Sequence, residues 1–185
     1  MIYLDYSATT PVDKRVLDTF NKVCLEYPGN SNSLHSLGIK SKELEDYATS
    51  EIAKMLGVKS SEIIYTSGAS ESNNLAIKGV CLKYQNRGKH IITSSVEHSS
   101  VYNTCVQLRD VFGFDVDFIS VDENGTLNLK ELEEKIREDT ILVSIMYVNN
   151  EVGMINPIHE ISKTIKNKNP ITKFHVDMVQ ALGKI

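Results

Sequence analysis

The sequence predicts an α/β three-layer sandwich built on a mostly parallel sheet. Short β-branched or apolar runs alternate with helix-length amphipathic segments from residue 60 onward. One run, Thr140-Ile141-Leu142-Val143-Ser144-Ile145-Met146, is almost continuously apolar, as a strand covered on both faces should be. The residues that follow the strands are small or polar, and open α/β sheets bind ligands beyond the carboxyl ends of their strands.

Each element has its own justification. Thr10-Pro11-Val12-Asp13 reads as a helix entry, with Thr10 as cap, Pro11 at the first helical position and Asp13 completing a capping pair. Val16, Leu17, Phe20 and Cys24 then share one face, and Pro28-Gly29 ends the helix. The stretch from Gly29 to Gly38 is polar and loop-like, with His35 inside it and no role assigned to it. A second helix spans Lys40 to Leu56, where Leu44, Tyr47, Ala48, Ile52, Met55 and Leu56 repeat at helical spacing and Gly57 supplies the stop.

Ile63 to Thr66 reads as a strand entering a helix that ends near Asn86-Arg87-Gly88. His90 to Ser94 is the next strand, and a helix carrying Val101, Cys105, Leu108 and Phe112 closes at Gly113. Phe114 to Ile119 alternates strictly, which predicts one wet face near a sheet edge. Asn124-Gly125 turns the chain, and Asn128 with Glu131 caps a helix bearing Leu129, Leu132 and Ile136. Asn156-Pro157 starts a helix through Ile161 and Ile165, and Lys173 to Asp177 is the last strand.

Composition narrows the function classes. A chain of 185 residues, 41% hydrophobic and 24% charged, suits a globular domain with a sizeable core. The formal net charge of -4 argues against nucleic acid as a partner. Apolar runs are a few residues long, against the roughly 20 a membrane helix needs. No basic segment leads into an apolar stretch at Met1-Ile2-Tyr3-Leu4-Asp5, so no signal peptide is expected. Cys24, Cys81 and Cys105 lie far apart without metal-ligand spacing and fall on helix faces, so they are expected to be core thiols in a reducing cytoplasm.

The most informative stretch is Thr66-Ser67-Gly68-Ala69-Ser70-Glu71-Ser72-Asn73-Asn74. A strand that breaks on hydroxyls and one glycine, then enters a helix, presents free N–H groups and a dipole end suited to a phosphate. Alone it is equally an ordinary βα turn. Three further strand ends add Glu97-His98, Asn149-Asn150-Glu151 and Asp177 to Gln180. A phosphate cradle, a histidine, an amide pair and a carboxylate together suit pyridoxal 5'-phosphate, whose ring nitrogen needs a buried carboxylate. The dinucleotide and triphosphate fingerprints G-x-G-x-x-G and G-x-x-x-x-G-K-[ST] are absent. Taken singly, His98 also reads as a capping residue, Asp177 as a cap of a following helix, and Asn149 as a turn residue.

These motifs, with Leu4-Asp5-Tyr6-Ser7-Ala8-Thr9-Thr10-Pro11, Gly29-Asn30-Ser31, Val148 to Gly153 and His175 to Gln180, occur in order along the whole chain. On them the chain resembles the N-terminal part of the cysteine desulfurases, aminotransferase class-V enzymes of the fold-type-I pyridoxal-phosphate group. The resemblance implies that Ala69 and Ser70 hold the phosphate, the family often having threonine at Ser70. It implies that His98 stacks on the ring and moves protons, that Asn150 lies near the phenolic oxygen and substrate carboxylate, that Asp177 partners the ring nitrogen, and that Gln180 bonds the phenolic oxygen. Met178 departs from the small residue usual there, and Ser31 from a common proline.

The implied reaction converts L-cysteine to L-alanine and leaves sulfur as a persulfide on an enzyme cysteine, for a scaffold protein in iron–sulfur or thio-cofactor assembly. A homodimer is implied at full length. Residues 1–35 would belong with the family's small domain, and 36–185 would be an incomplete cofactor domain cut before the Schiff-base lysine. That lysine, the nucleophilic cysteine and a substrate-binding arginine are expected beyond Ile185, so this portion is expected to be inactive alone. Lys184 matches a structural position of the family, and none of the three cysteines has the electropositive setting of a nucleophile. Another class-V enzyme such as a selenocysteine lyase, or a non-catalytic partner protein, remains open on the same residues.

Overall fold

A computed structural model describes residues 2–185. By internal packing the chain divides into residues 1–65 and 66–185. The first unit holds helices α1 (Lys14–Glu26) and α2 (Ser36–Leu56) and a 3-10 turn at Ser60–Glu62. The second holds α3 (Ala69–Tyr84), β1 (His90–Ser94), α4 (Ser99–Phe112), β2 (Asp115–Ile119), α5 (Leu129–Lys135), β3 (Thr140–Ser144), α6 (Ile158–Lys168) and β4 (Lys173–His175).

All three strand pairings are parallel, in the order β2-β1-β3-β4. The chain moves outward from β1 to β2, returns past β1 to β3, and continues the other way to β4. The direction therefore reverses between β1 and β3, the switch point where such sheets form a crevice. Side-chain alternation distributes the core to both faces. Ile91 and Leu142 pack with Ile77 and Cys81 of α3 and Val101, Cys105 and Leu108 of α4. Ile92 and Val143 pack with Leu132 of α5 and Ile161 and Ile165 of α6. Ile141 joins Leu142 on the first face because the β1–β3 register shifts by one residue, His90 facing Thr140 and Ile91 facing Leu142. These are the expected three layers.

The wet-faced strand is indeed an edge, β2. Gly57 and Gly113 adopt the left-handed conformation that ends α2 and α4, where a side chain would be strained. Asn128 accepts the Glu131 N–H and caps α5.

Three local expectations differ. Ile63 to Thr66 forms no strand; Ile64 and Tyr65 are 71% and 58% exposed, and β-propensity without a ladder partner makes no strand. Asp13, rather than Thr10, is the α1 cap, because its carboxylate reaches the Arg15 N–H at 2.8 Å. The helix expected from Lys40 starts at Ser36, because His35 Nδ1 accepts the Gly38 N–H and caps it. Cys81 and Cys105 are core thiols as expected, with burial pushing each up to about 12, whereas Cys24 is exposed. Among the described residues no helix is long and apolar enough to cross a membrane.

Candidate functional site

The turn before α3 is built from its own side chains. Thr66 Oγ1 and Ser72 Oγ are 2.7 Å apart, and the Ser67 N–H and hydroxyl both donate to Glu71 Oε2 at 2.6 Å. These bonds hold the Glu71 carboxyl below its usual range. Gly68, the N-cap, brings no side chain to the first turn of α3. Helix-start N–H groups have no intrahelical acceptor, so those of Ala69 and Ser70 are suited to an outside one. Both residues are exposed.

From this turn a hydrogen-bonded chain runs across three elements. Asn73, buried on α3, donates both hydrogens of its amide: one to Asp177 Oδ2 at 2.8 Å, the other to Ser100 Oγ at 2.9 Å. Ser100 Oγ lies 2.8 Å from His98 Nδ1. The Ser100 N–H also donates to Nδ1, at 3.2 Å, which makes His98 the cap of α4. Because Nδ1 is an acceptor, the neutral ring carries its proton on Nε2, and Ser100 O–H points to Nδ1. Any proton His98 exchanges therefore passes at Nε2. Asn74 extends the chain sideways, donating to Ser70 O at 2.9 Å and to Ser100 O at 3.5 Å.

Asp177 is buried just past β4. Its Oδ1 accepts the Val179 N–H at 3.0 Å and its Oδ2 accepts from Asn73. Each carboxylate oxygen has a second lone pair, so the group keeps acceptor capacity for a ring N–H. Three residues on, Gln180 Oε1 accepts from Lys184 Nζ at 2.8 Å.

The loop after β3 treats its two asparagines differently. Asn149 is structural: Oδ1 accepts the N–H of Glu151 and Val152, while Nδ2 donates to Val96 O at 3.1 Å. Asn150 is half-buried and donates to Glu151 Oε1 at 2.8 Å. Glu97 is 8% exposed, with Oε1 accepting Ser94 Oγ–H at 2.6 Å and Met146 N–H at 2.9 Å. Burial pushes its carboxyl up to about 7, and Asp177 adds to the rise.

Hydrogen bonds thus join Ser70, His98 and Asp177 through Asn73, Asn74 and Ser100. Asn150 and Gln180 sit on adjoining strand exits, with local partners of their own. The sequence alone assigns no role to Asn73, Ser100 or Glu97. Asn73 and Glu97 fall inside the motifs, but a contact spanning 104 residues has no local signature. The residues suit pyridoxal phosphate: a buried carboxylate with spare acceptor capacity, a helix start without a side-chain cap and an imidazole with a defined tautomer.

The aminotransferase class-V family model matches residues 2–185. "Cysteine desulfurase IscS" of Buchnera aphidicola subsp. Baizongia pistaciae is 48% identical over 187 residues, covering 100% of this chain and 46% of that protein. "Cysteine desulfurase IscS 1" of Archaeoglobus fulgidus is 45% identical, with 100% and 47% covered. The chain spans about half the length of the curated relatives it matches. A solved NifS-like protein superposes with a TM-score of 0.95 at 43% identity, covering 100% of this chain and 50% of that one. SspA in complex with cysteine gives 0.91 at 40% identity, with 98% and 52% covered. A three-layer parallel fold, a strand-exit site and an end-to-end family match thus agree, and the chain belongs to the aminotransferase class-V family.

Proposed function

We propose that this chain carries the cofactor-holding half of a pyridoxal-phosphate-dependent cysteine desulfurase. The observation that carries the reading is the hydrogen-bonded chain from Asp177 through Asn73 and Ser100 to His98 at the strand exits. It is supported by the cysteine desulfurases among the relatives and by the neighbour solved in complex with cysteine. Bound pyridoxal phosphate would supply an electron sink for charge developing at the substrate α-carbon. The N–H groups of Ala69 and Ser70, with the Ser70 hydroxyl, hold the phosphate. Asp177 would accept the ring N–H and keep it protonated. His98 would lie against the ring and move a proton at Nε2, its Nδ1 being held by Ser100. Asn150 would lie near the phenolic oxygen and the substrate carboxylate, and Gln180 would bond the phenolic oxygen.

The substrate in this reading is L-cysteine, and the sulfur goes as a persulfide to a scaffold protein. A homodimer completes the assembly, and the separate thiols suit a reducing cytoplasm. A fusion of residues 1–185 to the remaining half of a relative should release alanine from L-cysteine, with pyridoxal phosphate required. His98→Ala and Asp177→Ala should each lower that rate at least about a hundredfold. An unchanged rate in Asp177→Ala defeats the assignment. Borohydride reduction of residues 1–185 with the cofactor should label no single lysine; specific labelling of Lys184 would show that it forms the tether.

A further inference from the structure

We infer that Glu97 is a positioning residue that works as the neutral acid, clamping the His98-bearing exit of β1 to the Asn150-bearing exit of β3. The inference rests on the reading of His98 and Asn150 as site residues. One oxygen makes the clamp. Glu97 Oε1 accepts the Ser94 hydroxyl from its own strand exit and the Met146 N–H from the neighbouring one. The far side of Met146 is fixed as well, since its carbonyl accepts Asn156 Nδ2 at 2.9 Å and the Tyr147 carbonyl accepts the Asn156 N–H at 2.8 Å. Asn149 Nδ2 donates back to Val96 O, adding a second tie between the exits. A crevice wall whose two sides bear His98 and Asn150 is thereby held at a set width.

The other oxygen decides the charge state. Glu97 Oε2 is buried and has no hydrogen-bond partner. A buried carboxylate oxygen without a donor is costly, whereas the protonated form places its hydrogen there at far lower cost. The titratable groups acting on Glu97 come from two neighbouring elements: Asp177 past β4 and Cys105 on α4. Asp177 is an acid, and the Cys105 thiol offers no positive charge, so neither favours ionised Glu97. The consequence for the site is direct. Glu97 and Asp177 are the buried acids among the described residues, and a neutral Glu97 keeps a second negative charge out of the interior beside Asp177.

The test uses residues 1–185 without cofactor, so its result is independent of whether the fusion desulfurates cysteine. Carboxyl 13C resonances followed from pH 4 to 9 should show Glu97 ionising well above ordinary glutamates. A Glu97 already ionised at pH 5 overturns the neutral form. Glu97→Gln, the isosteric neutral variant, should keep Met146 amide exchange within about twofold of the parent, while Glu97→Ala should speed it roughly tenfold or more. The amide resonances of His98 and Asn150 should move in Glu97→Ala and return in Glu97→Gln. If Gln fails to restore them, or if both variants leave them unmoved, the clamp does not position the site. Should Glu97→Ala not fold, the titration and Glu97→Gln still decide.

Discussion

Residues 1–65 and 66–185 both carry amphipathic helices, yet they differ in where the apolar faces go. In α1 no residue is buried, and Phe20 is 63% exposed. In α4 the corresponding stripe of Val101, Cys105 and Leu108 is fully buried against the sheet. Helical periodicity fixes which face is apolar; whether that face becomes core depends on a partner surface. The sheet is that surface for α3 to α6. The contrast also separates what supports the fold from what supports the site, since the candidate residues all belong to the second unit.

Several experiments would break or sharpen this contrast. The largest difference should be in thiol chemistry. Cys24 is exposed, while Cys81 and Cys105 have thiols pushed up to about 12, which leaves ~1000-fold less thiolate than an ordinary cysteine. Iodoacetamide on the native protein should modify one cysteine quickly and the other two only on unfolding. Next comes packing. Leu142→Ala removes a fully buried side chain and should cost about 3–5 kcal/mol in urea unfolding. Asp177→Ala leaves the Asn73 amide short of an acceptor inside the protein and should cost about 1–3 kcal/mol.

A smaller effect concerns acid. Burial lowers both His90 and His175 from their ordinary range. Their neutral forms therefore favour the folded state. Stability is present above the unfolded value near 6.5 and is lost as pH falls through it toward the lower folded value. Glu97, raised on folding, gains stability over the same range in parent and variant alike, so the histidine part shows as a difference: going from pH 7 to 5, the parent should lose more, or gain less, in melting temperature than His90→Gln. The smallest change is expected in the first unit: Phe20→Ala should shift stability by no more than about 0.5 kcal/mol. A cost of several kcal/mol there would show that α1 buries its stripe in solution.

Much of the second unit was readable because its signals are local. His90 to Ser94 matches β1, Gly113 ends α4 and Asn128 caps α5, each from a pattern a few residues wide. The misreadings also have physical causes. Ile63 to Tyr65 has the composition of a strand, and composition cannot supply a ladder. Thr10 has cap chemistry, but Asp13 reaches an N–H nearer the helix start, and His35 does the same for α2. The candidate residues could be gathered as strand exits, while Asn73 and Ser100 that connect three of them could not. Those bonds depend on the sheet order, which brings distant exits together only after the crossovers form.

That sheet order sets a timetable for synthesis. β1 lies at the centre with β3, so the first strand made waits for the third before both its edges are paired. Asn73 waits longer, since Asp177 emerges 104 residues after it. At ribosomal rates that gap lasts roughly 5–20 s. Throughout it, an amide destined for the interior has only solvent and Ser100 to bond. The crevice at the strand exits thus lacks one wall until Asp177 is made, and a small molecule present during translation meets that half-built wall first.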